Sequence, residues 1–405
     1  MAVGSGDYGV LHVVAGIRMA AVSAGIKKPG RLDVVLFELA VDTITAGVFT
    51  TNAFCAAPVT LCKNHLARAM PRYFLINTGN ANAGTGTPGM QAAEQCCQAL
   101  ATAAAIDIDQ ILPFSTGVIG ELLPAAKITA VVPAALAALD NNKWDEVARG
   151  IMTTDTRPKA SSRQLTLDGK TVTITGIAKG AGMIKPDMAT MLGYIFTDAG
   201  LSIAGANAAV RAAADKSFNR ITIDGDTSTN DSCMLVATGL SGVNISALNE
   251  AKQLLFHNVL TEVFVDLATA IVRDGEGATK FVTVSVEGGA STKECLQVGY
   301  AIAESPLVKT ALFASDPNWG RILAAVGRAG VLELDVQKIE IWLNDVCIVR
   351  SGARAESYQE AAGQAVLAQE EFTITVKLAR GKHAEKLWTC DFSHDYVTIN
   401  AEYRT

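Results

Sequence analysis

The chain has 405 residues, of which 49% are hydrophobic and 18% charged, and a formal net charge of −6. That much apolar material supports a large buried core and excludes a disordered chain. An acidic balance with no lysine or arginine run argues against a nucleic-acid partner.

In chain order, short apolar runs rich in β-branched or aromatic residues alternate with helical stretches. "VVLFEL" (34–39) and "YFLIN" (73–77) predict strands, "MQAAEQCCQALATAAA" (90–105) and "ITAVVPAALAALD" (128–140) predict helices, and "TVTITGIA" (171–178) predicts a strand. Helices follow over 204–218 and 253–275. The second has charges on one side, so its apolar face should pack on a sheet. Strands at 281–286, 339–343 and 372–378 come next, and the C-terminal "YVTINAEY" reads as an alternating strand. The mixture predicts an α/β or α+β protein with several sheets. Two segments, 139–146 and 179–189, are the candidate breaks.

Mean hydropathy is +0.26, so a membrane has to be considered. The longest charge-free run, about Thr43 to Cys62, carries Thr43, Thr45, Thr50, Thr51, Asn52 and Thr60 and is too polar to span a bilayer. Arg18 is the first basic residue and interrupts the only apolar stretch available as a signal peptide, so a cytoplasmic location is expected. The cysteines form no C-x-x-C, and no pair of histidines has zinc-ligand spacing. Neither a disulfide framework nor a histidine-centred metal site is expected.

Three glycine-containing polar loops follow apolar strands: 75–89, 112–120 and 221–232. Glycine there lets backbone N–H groups turn toward a ligand. None has Walker or dinucleotide-fingerprint spacing. Asp224, Asp226, Ser228 and Asn230 suggest calcium, but an EF-hand loop needs glycine and glutamate where Thr229 and Leu235 stand. The third loop therefore reads as a hydrogen-bonded turn network near a site.

The stretch "KGAGMIKPDMATMLGYIFTDA" (179–199) changes from loop to buried strand at Thr190. It occurs in order with "FSTGVIG", "MTTDT", "TIDGDTSTNDS", "IVRDGEGATKF", "SDPNWGRILAAVGRAG" and the terminal "YVTINAEYRT". This set closely resembles the ornithine acetyltransferase family of arginine biosynthesis, also called glutamate N-acetyltransferase, over nearly the whole chain.

The resemblance implies a two-lobed, layered α/β sandwich of the ornithine acetyltransferase type. It implies self-cleavage between Ala189 and Thr190, giving an alpha chain of residues 1–189 and a beta chain of residues 190–405, intertwined in one fold and assembled as a heterotetramer of two of each. Thr190 would be the nucleophile, and Thr116 with Gly117 the oxyanion hole. Thr153, Lys179, Thr190, Glu276, Asn400 and Thr405 would bind substrate. The reaction implied is acetyl transfer from N²-acetyl-ornithine to glutamate, with no metal or organic cofactor. Acetyl-CoA as a second donor is left open, and no nucleic acid or membrane is implied. Ala53 stands where members of that family often carry a basic residue, away from the motif positions.

Threonine is a poor nucleophile until a base takes its proton. A freed α-amino group, with a reference pKa of about 7.7–8.0, is partly neutral at cellular pH and sits on the same residue. Two other readings are a self-cleaving aminopeptidase or amidohydrolase, which would release acyl groups to water, and an uncut binding protein. The segments "DPNWGRI" and "NAEYRT" speak against the hydrolase.

Overall fold

The computed structural model describes residues 2–185 and 191–402. The first lobe is built of two sheets packed face to face with helices outside both. One sheet has four strands in the order Ile17–Val22, Val34–Leu39, Tyr73–Asn80 and Ile111–Val118. The other has five, in the order Ile44–Phe49, Ser232–Ala237, Leu192–Thr197, Lys170–Lys179 and Lys159–Leu167.

Alternation along each strand decides which side chains meet. Val35 and Phe37 face the second sheet, whereas Val34 and Leu36 face the helices Gly86–Ala104 and Ala125–Ala137. Both faces are buried, so the strand reads as an unbroken apolar run. Between the sheets Phe37, Phe74, Phe114, Trp144, Tyr194 and Phe196 form an aromatic cluster, with Phe37 and Phe196 centroids 4.8 Å apart. Burial of each such ring contributes roughly 1.5–3 kcal/mol. On the far side of the five-stranded sheet lie helices Ile203–Asp215 and Glu250–Arg273. The latter is apolar and long enough to cross a membrane. Its stripe of Phe256, Leu260, Val263, Phe264, Leu267 and Ile271 is instead buried in the core of this lobe.

The second lobe is a seven-stranded sheet centred on Glu371–Lys377 and Phe281–Gly289, covered by helices Thr292–Ala303, Pro306–Phe313, Trp319–Gly327 and Glu360–Leu367. Its last strand, Ile221–Thr222, pairs with Trp388 and Thr389 and leads into the loop that enters the first lobe. Strands 192–197 and 232–237 lie between strands 44–49 and 170–179. Elements from both sides of position 189 therefore share one sheet.

Two expectations need correction. The C-terminal segment is a helix, His394–Ala401, started by the Ser393 hydroxyl accepting from the Tyr396 N–H. Alternation over so few residues also suits a helix end once a capping serine precedes it. The segment 139–146 is no boundary. Trp144 is fully buried in the aromatic cluster, and Asp140 bridges to Met19.

Candidate active site

The strand Ile111–Val118 runs parallel to Tyr73–Asn80, with Thr116 beside Thr78 and Gly117 beside Gly79 until the register shifts at Asn80. Gly117 has φ +136°, and a Cβ there would stand 2.3 Å from the Gly79 carbonyl carbon. Only glycine lets the two backbones approach this closely. The turn is pinned by the Asn230 amide, which donates to Ala81 O at 2.6 Å and Ser115 O at 3.0 Å. The Ser115 hydroxyl donates to Asn77 Oδ1 at 2.6 Å.

Six of the expected site residues meet here. Thr116, Gly117, Thr153, Lys179, Glu276 and Asn400 line one cavity of about 210 Å³. Thr116, Lys179 and Glu276 are each only 8% exposed, so their side chains are largely buried where they line the cavity. Lys179 Nζ donates to Thr116 Oγ1 at 3.2 Å. The threonine hydroxyl, having accepted one bond, keeps its own hydrogen for a further acceptor. Burial, the largest influence, lowers the Lys179 pKa, while Asp155, Asp231 and Glu276 support its charge. Glu276 reaches the cavity because Gly182 leaves room: a Cβ on that glycine would lie 2.4 Å from Glu276 Oε2. The Asn400 amide donates to the same carboxylate oxygen at 2.8 Å. The Ala189–Thr190 junction and Thr405 fall outside the described residues.

The sequence did not expose the network behind these walls. Lys159 is 1% exposed and donates at 2.6 Å to both Asp155 Oδ1 and Asp274 Oδ2. Asp155 also accepts the N–H groups of Thr153 at 2.9 Å and Gly180 at 2.7 Å. Asp274, two residues before Glu276, accepts the Thr156 N–H at 3.0 Å and its hydroxyl. Burial alone would raise the Asp155 pKa. The Lys159 and Lys179 ammonium groups, with hydrogen bonds from Lys159 and the Thr153 N–H, overcome it and hold the carboxyl well below its usual range. One lysine thus ties together three segments that supply Thr153, Lys179 and Glu276.

The loop 221–232 is the expected turn network. Asp224 accepts the N–H groups of Met183 at 2.6 Å and Ile184 at 2.8 Å, and the Thr227 hydroxyl donates to Lys185 O at 3.2 Å. On the downstream side Ser232 N donates to Met191 O at 2.9 Å. The same loop therefore grips the chain before and after residues 186–190.

A layered α/β scaffold with a small cleft lined by one ammonium and one carboxylate defines an enzyme acting on a small charged molecule. The chain belongs to the ArgJ family, whose family model matches residues 18–405. It is 60% identical to the arginine biosynthesis bifunctional protein ArgJ of Pseudomonas fluorescens, over the full length of both chains. Among solved structures it is similar to ArgJ from Bacillus halodurans, at 38% identity and TM-score 0.49, covering 52% of this chain and 99% of that one. It is also similar to an ornithine acetyltransferase complexed with ornithine from Mycobacterium tuberculosis, at 34% identity and TM-score 0.39, covering 44% and 94%.

Proposed function

We propose that the protein is a self-cleaving acetyltransferase of arginine biosynthesis, working in the cytoplasm, that moves the acetyl group of N²-acetyl-ornithine to glutamate through acetyl-Thr190. What carries the reading is the cleft where Thr116, Gly117, Lys179 and Glu276 converge, together with a chain gripped on both sides of residues 186–190. Thr190 Oγ1 attacks the acetyl carbonyl, and the α-amino group of the same residue takes the hydroxyl proton. The Thr116 hydroxyl and Gly117 N–H receive the oxyanion. Lys179 meets the α-carboxylate, and Glu276, with Asn400 and Thr405, meets the far end of the substrate. Glutamate, lacking the ornithine amine, then enters the same place and takes the acetyl group.

Substrate filling the cleft would displace water from it, which favours transfer to glutamate over hydrolysis. With N-acetyl-ornithine and glutamate supplied together, N-acetylglutamate should form in step with ornithine. Release of free acetate instead would show a hydrolase. Thr116→Ala removes one oxyanion donor and should lower kcat by roughly 10²-fold or more with little change in KM. Unchanged turnover would reduce the Thr116 loop to a structural turn.

A recess beyond Gly117 and Thr153, about 270 Å³, carries Lys27, Lys28 and Arg31. That basic rim supports acetyl-CoA as a second donor, its anionic phosphates lying outside the cleft. After cleavage the two chains would stay together, because the five-stranded sheet takes strands from both. Two of each chain would make the heterotetramer.

A further inference from the structure

A buried acid stands beside the strand that begins at Leu192, with no part in the scheme above. Asp231 is 3% exposed. Its backbone is fixed on both sides: its carbonyl accepts the Thr50 N–H at 3.0 Å, and the next residue, Ser232, pairs in parallel register with Leu192. Among the described residues, Asp231 Oδ2 has no hydrogen-bond partner. Leaving such an oxygen dry and unpaired is costly. Its neighbour Asn230 is already committed to Ala81 and Ser115. The Met191 N–H acts on the Asp231 carboxyl. Ser232 N donates to Met191 O at 2.9 Å, so the residue next to Asp231 is bonded to the residue that follows Thr190 in the chain.

We propose that Asp231 is a further catalytic residue, the acid–base partner of the Thr190 nitrogen during self-cleavage and afterwards. The proposal rests on Thr190 being the cleavage point and nucleophile. Thr190 Oγ1 bonds to the Ala189 carbonyl carbon, and the Ala189–Thr190 C–N bond breaks. The departing nitrogen takes the Asp231 carboxyl proton, and the hydroxyl proton returns to the other carboxyl oxygen, so the acid is unchanged. Water then splits the ester, restoring the Thr190 hydroxyl. The proton released with the Ala189 carboxylate goes to the freed amine, which Asp231 holds beside Oγ1.

The electrostatics agree with a donor role. Burial, the largest influence, pushes the Asp231 carboxyl well above the usual carboxylate range, against the Ser228 hydroxyl, the Lys179 ammonium and the N–H groups of Met191 and Ser228. A carboxyl kept neutral by burial can donate a proton at neutral pH. Lys179 is the charged group facing it, and Lys179 in turn faces Asp155, Lys159 and Glu276.

The test follows self-cleavage of newly made wild-type, Asp231→Asn, Asp231→Glu and Thr190→Ala chains by denaturing gel and intact mass. Asp231→Asn should cut roughly 10²-fold more slowly than wild type, and Asp231→Glu should recover part of the rate. In Asp231→Asn enzyme that has cut, the acid limb of the kcat/KM profile should move to lower pH, because the ammonium form of the amine has lost the carboxylate that would support its charge. A packing defect would lower the rate without moving that limb. If wild type stays uncut, the nucleophile assignment itself fails. If wild type cuts and Asp231→Asn cuts within twofold of its rate with an unmoved limb, only the Asp231 proposal is overturned. Should Asp231→Asn not fold, wild type decides: its cleavage rate should fall as rising pH removes the acid proton, and a rate flat or rising through the alkaline range overturns the proposal.

Discussion

Thr190→Ala is expected to give a single uncut chain of 42.4 kDa that neither releases ornithine nor forms N-acetylglutamate. In the proposed scheme both losses come from one hydroxyl, which would attack the Ala189 carbonyl once and the acetyl carbonyl in every turnover. No histidine lines the cleft among the described residues to activate another nucleophile. The drop in turnover should be on the order of 10⁴-fold or more, as when other enzymes lose their nucleophile. Wild type should appear as two pieces, residues 1–189 and 190–405. Thr190→Ser keeps a hydroxyl and should cut at least in part. Gel and mass measurements on the three proteins read this directly, and an active, uncut Thr190→Ala would end the argument.

Lys159→Met should be the most damaging change away from the reacting atoms. It leaves Asp155 and Asp274 buried without their shared cation. Breaking a buried pair from one side costs about 3–5 kcal/mol, which a urea unfolding midpoint would register. Turnover should fall as well, because Asp155 positions the Thr153 and Gly180 backbone and Asp274 precedes Glu276. The pH dependence has a definite sign. A carboxyl depressed in the fold, as Asp155 is, stabilises above its unfolded value of about 3.9. That contribution is lost as pH falls through the folded value. Wild type should therefore weaken below about pH 4, and Lys159→Met should show less of that acid loss. A variant with the wild-type urea midpoint would show that the triad holds nothing together.

Much of the molecule was legible because burial leaves a local trace. Val34–Leu39 and Phe281–Gly289 are buried along most of their length and read as apolar runs. Lys159–Leu167 left no such trace. Its Lys159, Ser161 and Ser162 are buried against Asp274, Asp266 and Thr175, and Asp274 is 115 residues away. Polar burial across that separation has no periodicity to read. The same holds at the site. Thr116, Gly117, Thr153, Lys179, Glu276 and Asn400 stood out through their motifs, and the fold gathers them at one cavity. Asp155, Lys159, Asp274 and Asp231 look like ordinary charged residues until their partners are seen. The C-terminal helix was misread because eight residues fit either period.

The account turns on Thr190 carrying the acetyl group, and mass analysis of the 190–405 chain tests that most directly. Incubation with N-acetyl-ornithine and no glutamate should add one acetyl group to the first residue of that chain. The link should be an ester that hydroxylamine removes, since the α-amino group has to stay free to act as base. Varying glutamate at several donor concentrations should then give parallel double-reciprocal lines. No adduct on that residue, together with intersecting lines, would mean direct transfer between two bound substrates and would contradict the account.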